Sequence, residues 1–133
     1  MISAISAELG LEGYYIHPRS IKTEQFVEFV KELAAKQDGQ PFSLFLDNLT
    51  VHKAKESKAL FEQLNITEIF NVPYCPQFNG IESYFSLVKA QYKKLLLHAV
   101  VKGSDIDTVT MIETAVKNVD ETQTKKCVLY GCV

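Results

Sequence analysis

The apolar residues change their period along the 133 residues of the chain. In "ISAISAE" and "LEGYYIHP" they form short strand-like runs parted by turn residues, which predicts an antiparallel hairpin. In "TEQFVEFVKELAAKQ", Phe26, Val30, Leu33 and Ala34 recur at helical spacing, with Thr23 placed as a cap. "DGQP" breaks the chain. "FSLFLDN" is a continuous apolar run that ends on a carboxylate, the pattern of a strand covered on both faces, as in a parallel sheet. "KAKESKALFEQLN" predicts a helix with Leu60, Phe61 and Leu64 inward, and "ITEIFNV" the next strand. Strand, helix, strand at this spacing is a parallel crossover unit.

From Ile81 the pattern is helical again. Ile81, Phe85, Val88, Tyr92 and Leu95 make one apolar stripe, and Glu82, Ser86, Lys89 and Lys93 a neighbouring polar one. Asp105–Val119 and Glu121–Tyr130 read as two weaker helices. No repeat, low-complexity tract or linker interrupts the chain, so the expectation is one domain over 1–133, with a core over 1–98 and C-terminal helices over 105–131.

Composition narrows the class. At 47% hydrophobic and 23% charged, the chain has the make-up of a soluble globular protein. Its longest apolar stretch, around Leu95–Val101, is too short and broken to span a bilayer. "MISAISAELG" has no basic segment followed by an apolar one, so no secretory signal is visible. Cys75, Cys127 and Cys132 cannot all pair within one chain, which suits reduced thiols inside a cell, and Cys127 and Cys132 lack a second ligand pair for zinc. The net charge of −2 argues against a uniformly basic nucleic-acid binder, but the lysines are not spread evenly. No acidic residue falls between Tyr84 and Ser104, where Lys89, Lys93, Lys94 and Lys102 lie. His52, Lys53, Lys55 and Lys58 form a second basic group, and either group can equally be a solvated helix face.

Two carboxylates stand out. Asp47 ends an apolar strand, and in open α/β sheets ligands collect beyond the carboxyl ends of strands. Alone, it can equally cap the turn in "DNLT". Glu82 sits in the first turn of its helix, where the helix dipole favours an anion. A parallel crossover sends the turn "NVPYCPQFNG" out at the same end of the sheet as Asp47, so Glu82 returns towards that end. Two carboxylates meeting there would repel unless a divalent cation lay between them, and hard oxygen ligands suit Mg²⁺ or Mn²⁺. In that turn Pro73 and Pro76 each fix their own φ, Gly80 permits a backbone geometry that a side chain would hinder, and Asn79 is placed to cap the next helix.

"LDNLTVHKAK" and "VPYCPQFNGIES", with Asp47 and Glu82 separated by positions 48 to 81, resemble the DDE transposases of the mariner-type superfamily. That family's pattern is Asp-Asn-x-x-x-His followed by Pro-Tyr-Ser-Pro-x-x-Asn-Pro-Ile-Glu. The similarity runs from about Ile2 to Leu97, with Cys75 where Ser is usual and Gly80 where Pro is usual. The turn and its glutamate are also similar to those of retroviral-type integrases. The resemblance implies a ribonuclease H-like mixed sheet flanked by helices. It implies metal-dependent DNA cleavage and strand transfer, with three carboxylates and two Mg²⁺ or Mn²⁺ ions. Asp47 and Glu82 would be catalytic and metal-binding. Asn48 would orient Asp47 or line the site, Asn79 would belong to the same lining, and His52, Lys89 and Lys93 would approach DNA.

The family's first Asp lies on a central strand, and the sequence matches the family only from beyond that strand onward. The expectation is therefore a sheet without its central strand, a truncated form with little activity alone. Glu8, at the end of the first strand, could stand in for the absent carboxylate only if that strand slid into the central slot; otherwise it is a surface residue at the hairpin turn. The rival is a non-catalytic DNA-binding or protein-interaction module derived from a transposase; a third alternative is an unrelated α/β binding domain. The implied partners are DNA, as transposon ends and target, and a second copy in a homodimer, with no membrane. In a eukaryote the place would be the nucleus.

Overall fold

A computed structural model describes residues 1–131, with side chains to Leu129; Cys132, one of the three cysteines, lies outside the described residues. The elements are β1 (Ile2–Ser6), β2 (Gly10–Tyr15), α1 (Thr23–Lys36), β3 (Phe42–Leu46), α2 (Thr50–Lys53), α3 (Lys55–Gln63), β4 (Ile66–Phe70), a 3₁₀ turn (Pro76–Phe78), α4 (Gly80–Lys102), α5 (Thr108–Asn118) and α6 (Glu121–Gly131). The class is mixed α/β, as expected. The chain forms two compact units, Met1–Ala4 with Glu12–Asn79, and Ile5–Leu11 with the chain from Gly80 on.

The strands make two separate two-stranded sheets, β1 with β2 and β3 with β4. β3 and β4 run parallel, Phe42 opposite Ile66 and Leu46 opposite Phe70, so the crossover through α2 and α3 is as the spacing predicts. In the first unit, Phe26 and Val30 of α1, Leu46, Ile66, and Leu60 and Phe61 of α3 form one core, with Ile2, Phe42, Leu44 and Phe70 packed against it. Each of the six buried side chains, Phe26, Val30, Leu46, Leu60, Phe61 and Ile66, contributes about 1.5–3 kcal/mol by leaving water.

Several local expectations change. β3 is covered on one face only: Phe42, Leu44 and Leu46 face the core, while Ser43 and Phe45 are exposed. Phe45 and its neighbour across the ladder, Ile69, are 40% and 47% exposed. Apolar content alone does not say how many faces are covered; the partners of the sheet decide that. Thr23 is the first helical residue rather than the cap of α1; the cap position is Lys22, whose N–H donates to Gln25 Oε1 at 3.0 Å. The helix expected over 53–65 is α3, which starts at Lys55 because Ala54 is extended at ψ 150°; the short α2 ahead of it was not expected. The buried Ser57 Oγ donates to the Val51 carbonyl at 2.8 Å and ties the two together.

In the second unit α4 packs on α5 and α6. Its buried side chains are Tyr84 and Val88, while Ile81, Phe85, Tyr92 and Leu95 are half-buried. The buried face is thus centred one residue off the expected stripe at its start. The polar stripe Glu82, Ser86, Lys89 and Lys93 is exposed, as read from the sequence. Ala115, Val116 and Thr124 complete this core. Asp107 caps α5, accepting from the Val109 N–H at 3.3 Å.

Candidate active site

The last rung of the β3–β4 ladder sets the site in the first unit. The Asn71 N–H donates to the Leu46 carbonyl at 2.8 Å, so both strands end side by side. Parallel strands present their carboxyl ends together, and Asp47 is the first residue beyond β3.

Asp47 is held in place. Its Oδ1 accepts from the Leu49 N–H at 3.2 Å, an Asx turn, and lies 2.8 Å from His52 Nδ1. His52 Nδ1 is also 3.2 Å from the Asp47 carbonyl oxygen, and a protonated Nδ1 can donate to either acceptor. The imidazole packs on the Phe26 ring at 4.6 Å between centroids, and its side chain is 12% exposed against 36% for Asp47. His52 is therefore a neighbour of the carboxylate rather than an open surface group. Lys53, beside it, lies over the Phe70 ring at 5.3 Å.

Asn48 Nδ2 donates to the Asn71 carbonyl at 2.7 Å, and Asn71 Nδ2 donates to the Cys75 carbonyl at 2.9 Å. Asn71 is buried and lies outside both sequence motifs. One signal could have found it. It follows β4 as Asn48 follows Asp47 at the exit of β3, and an amide there can donate and accept at once. The turn beyond it is closed by Cys75 N–H to the Val72 carbonyl at 3.2 Å and Phe78 N–H to the Cys75 carbonyl at 3.2 Å. At its tip Tyr74 is fully exposed, with a left-handed φ of 60° that few non-glycine residues adopt. Asn79 is buried at the end of the 3₁₀ turn, its N–H donating to the Pro76 carbonyl at 2.9 Å.

Glu82, in the second unit, is exposed on the first turn of α4, and its carbonyl accepts from Ser86 Oγ at 3.0 Å. Lys89 and Lys93 lie further along the same exposed face. Gly80 opens α4 where α6 passes: a β-carbon there would come within 2.2 Å of the Cys127 carbonyl oxygen. Close approach is thus why glycine stands at this position. Burial pushes the Cys127 thiol above its ordinary value. Glu8 is exposed in the turn between β1 and β2.

Carboxylate oxygens are the donors that Mg²⁺ or Mn²⁺ takes, and Asp47 and Glu82 supply that type. The number falls short: among the described residues no three His, Cys, Asp or Glu side chains gather to hold a metal ion. Among the described residues no helix is long and apolar enough to cross a membrane.

A family profile described as "DDE superfamily endonuclease" matches residues 1–101. No curated protein matches the chain. Among solved structures, a chain in the cryo-EM structure of the simian T-cell lymphotropic virus intasome in complex with PP2A regulatory subunit B56 gamma is similar, with a TM-score of 0.64 at 16% identity. The alignment covers 80% of this chain and 37% of that one, so the chain spans well under half the length of this neighbour. At that identity the likeness bears on fold alone, and it agrees with the ribonuclease H-like architecture expected from the two motifs.

Proposed function

The chain belongs to the DDE superfamily of endonucleases, and from that premise we propose that it is the nuclease core of a mariner-type transposase, acting on DNA with a divalent cation. The observation that carries this reading is the placement of the first motif. "LDNLTVH" puts Asp47 just past the carboxyl end of a parallel strand, steadied by Leu49 N–H and His52. The second motif delivers Glu82, solvent-facing, in the first turn of α4. Asp47 and Glu82 are the residues that would hold Mg²⁺ or Mn²⁺. The ion would supply activation of water or a DNA 3′-hydroxyl and stabilisation of the leaving oxygen. Lys89 and Lys93 would meet phosphates, Asn48 and Asn79 would line the site, and His52 would support Asp47.

The reading includes an incomplete form. In the order of a ribonuclease H-like sheet a central strand would lie between β1 and β3, and the separation of the strands into two sheets supports its absence from this chain. Low activity is the consequence, since that strand brings the third carboxylate. Transposon ends and target DNA are the substrates in this reading, with a second copy as partner and, in a eukaryote, the nucleus as the place.

The test is nicking of supercoiled DNA with Mg²⁺ or Mn²⁺. Weak nicking above the protein-free baseline is expected, lost in Asp47→Asn while DNA binding persists. Nicking that survives Asp47→Asn would refute the assignment. A second reading, a DNA-binding module without catalysis, is favoured by one observation: among the described residues no three His, Cys, Asp or Glu side chains gather to hold a metal ion. A salt-sensitive DNA complex indifferent to Mg²⁺, with no nicking, would select it.

A further inference from the structure

We infer that Asn71 is a positioning residue that locks the exits of β3 and β4 together and thereby sets how Asp47 is presented. Asp47 lies between Leu46 and Asn48, and Asn71 holds both neighbours. Its N–H donates to the Leu46 carbonyl at 2.8 Å, and its carbonyl accepts from Asn48 Nδ2 at 2.7 Å. The segment bearing the carboxylate is thus pinned on each side to one residue. These two bonds use the main chain of Asn71, which any residue offers. The side chain adds a third. Asn71 Nδ2 donates to the Cys75 carbonyl at 2.9 Å, the same carbonyl that accepts from Phe78 N–H at 3.2 Å. That bond draws the turn back over residue 71 and fixes the direction of the 71–72 peptide, whose oxygen receives Asn48.

The cost of the arrangement points the same way. Asn71 is buried, and its Oδ1 is buried with no hydrogen-bond partner among the described residues. A buried amide with an unmet acceptor is destabilising, and an apolar residue would avoid it. The donor Nδ2 is what an apolar residue could not supply. A residue serving only the turn would leave Asp47 unaffected. A residue that positions Asp47 must influence bonds its side chain does not touch.

The Leu49 amide, which donates to Asp47 Oδ1, reports that difference. Amide hydrogen exchange is measured on the full chain and on Asn71→Ser. The expected result is exchange roughly tenfold faster at Leu49 and Phe78 together, the effect of losing one hydrogen bond, with the amides of α1 and α3 unchanged. Acceleration at Phe78 alone would reduce Asn71 to a turn stabiliser and overturn the inference. If every amide of the unit accelerates, Asn48→Ala decides. It leaves the Asn71 side chain intact, removes the 2.7 Å bond, and must still speed Leu49; an unaltered Leu49 overturns the inference. The consequence for chemistry rests on the proposed metal site, and Mn²⁺ added to the same samples separates the two. Mn²⁺ affinity at Asp47 is expected to fall roughly tenfold in Asn71→Ser, as for a lost outer partner of a ligand. No Mn²⁺ effect in the unaltered chain would refute the metal site and leave the exchange result to judge Asn71.

Discussion

At Gly80 a β-carbon would lie 2.2 Å from the oxygen and 2.8 Å from the carbon of the Cys127 carbonyl, both backbone atoms. Neither can give way without moving α6. Gly80→Ala is therefore expected to cost about 1–3 kcal/mol or more, read from the denaturant midpoint. A cost under about 0.5 kcal/mol would mean that α6 does not pass there. The sequence marks Gly80 as special, but for the wrong reason: its proline-rich neighbourhood points to turn geometry, and the real cause is an approach from residue 127, which no local pattern encodes. The positions of Asp47, past the end of β3, and of Glu82, in the first turn of α4, were legible because each closes a local pattern, a strand run and a helix start. The partnership of His52 with Asp47 was not. The sequence places His52 among lysines, but its ring lies on Phe26, which comes from another helix. The place of Asn71 at the exit of β4 was readable, but its role was not, since its bonds join positions 46, 48 and 75.

Among elements, the β3–β4 pair separates two kinds of apolar residue that the sequence treats alike. Phe61 of α3 is 2% exposed in the core, and Phe61→Ala should cost about 3–5 kcal/mol. Phe45 is 40% exposed on the open face of β3, and Phe45→Thr should cost about 1 kcal/mol or less in the same unfolding measurement. Equal costs would mean that the open face is covered in solution. The order of helices and strands was readable because period and turn residues are local. The number of covered faces was not, because cover comes from elsewhere in the chain. The short α2 before Ala54 was not legible for a related reason: it lies ahead of the periodic run over 53–65, and Ser57 ties it to α3 by a bond back to Val51 that periodicity does not encode.

For the whole molecule, a net charge of −2 leaves any attraction to DNA to local groups of lysines. Lys89 and Lys93 are exposed on the face of α4 that also carries Glu82. If both meet phosphates, replacing both by Ala should reduce the slope of log affinity against log salt by about 2, near 0.9 per duplex contact, with no change in sequence preference. An unchanged slope would place the DNA elsewhere. The central claim is that Asp47 and Glu82 are the carboxylates that hold the cation. The measurement is a Mn²⁺ titration of the isotopically labelled chain, tracked by the broadening of individual amide signals. Broadening confined to the surroundings of Asp47 and Glu82, and lost in Asp47→Asn, is predicted. Broadening centred on other carboxylates, or none at millimolar Mn²⁺, would contradict it.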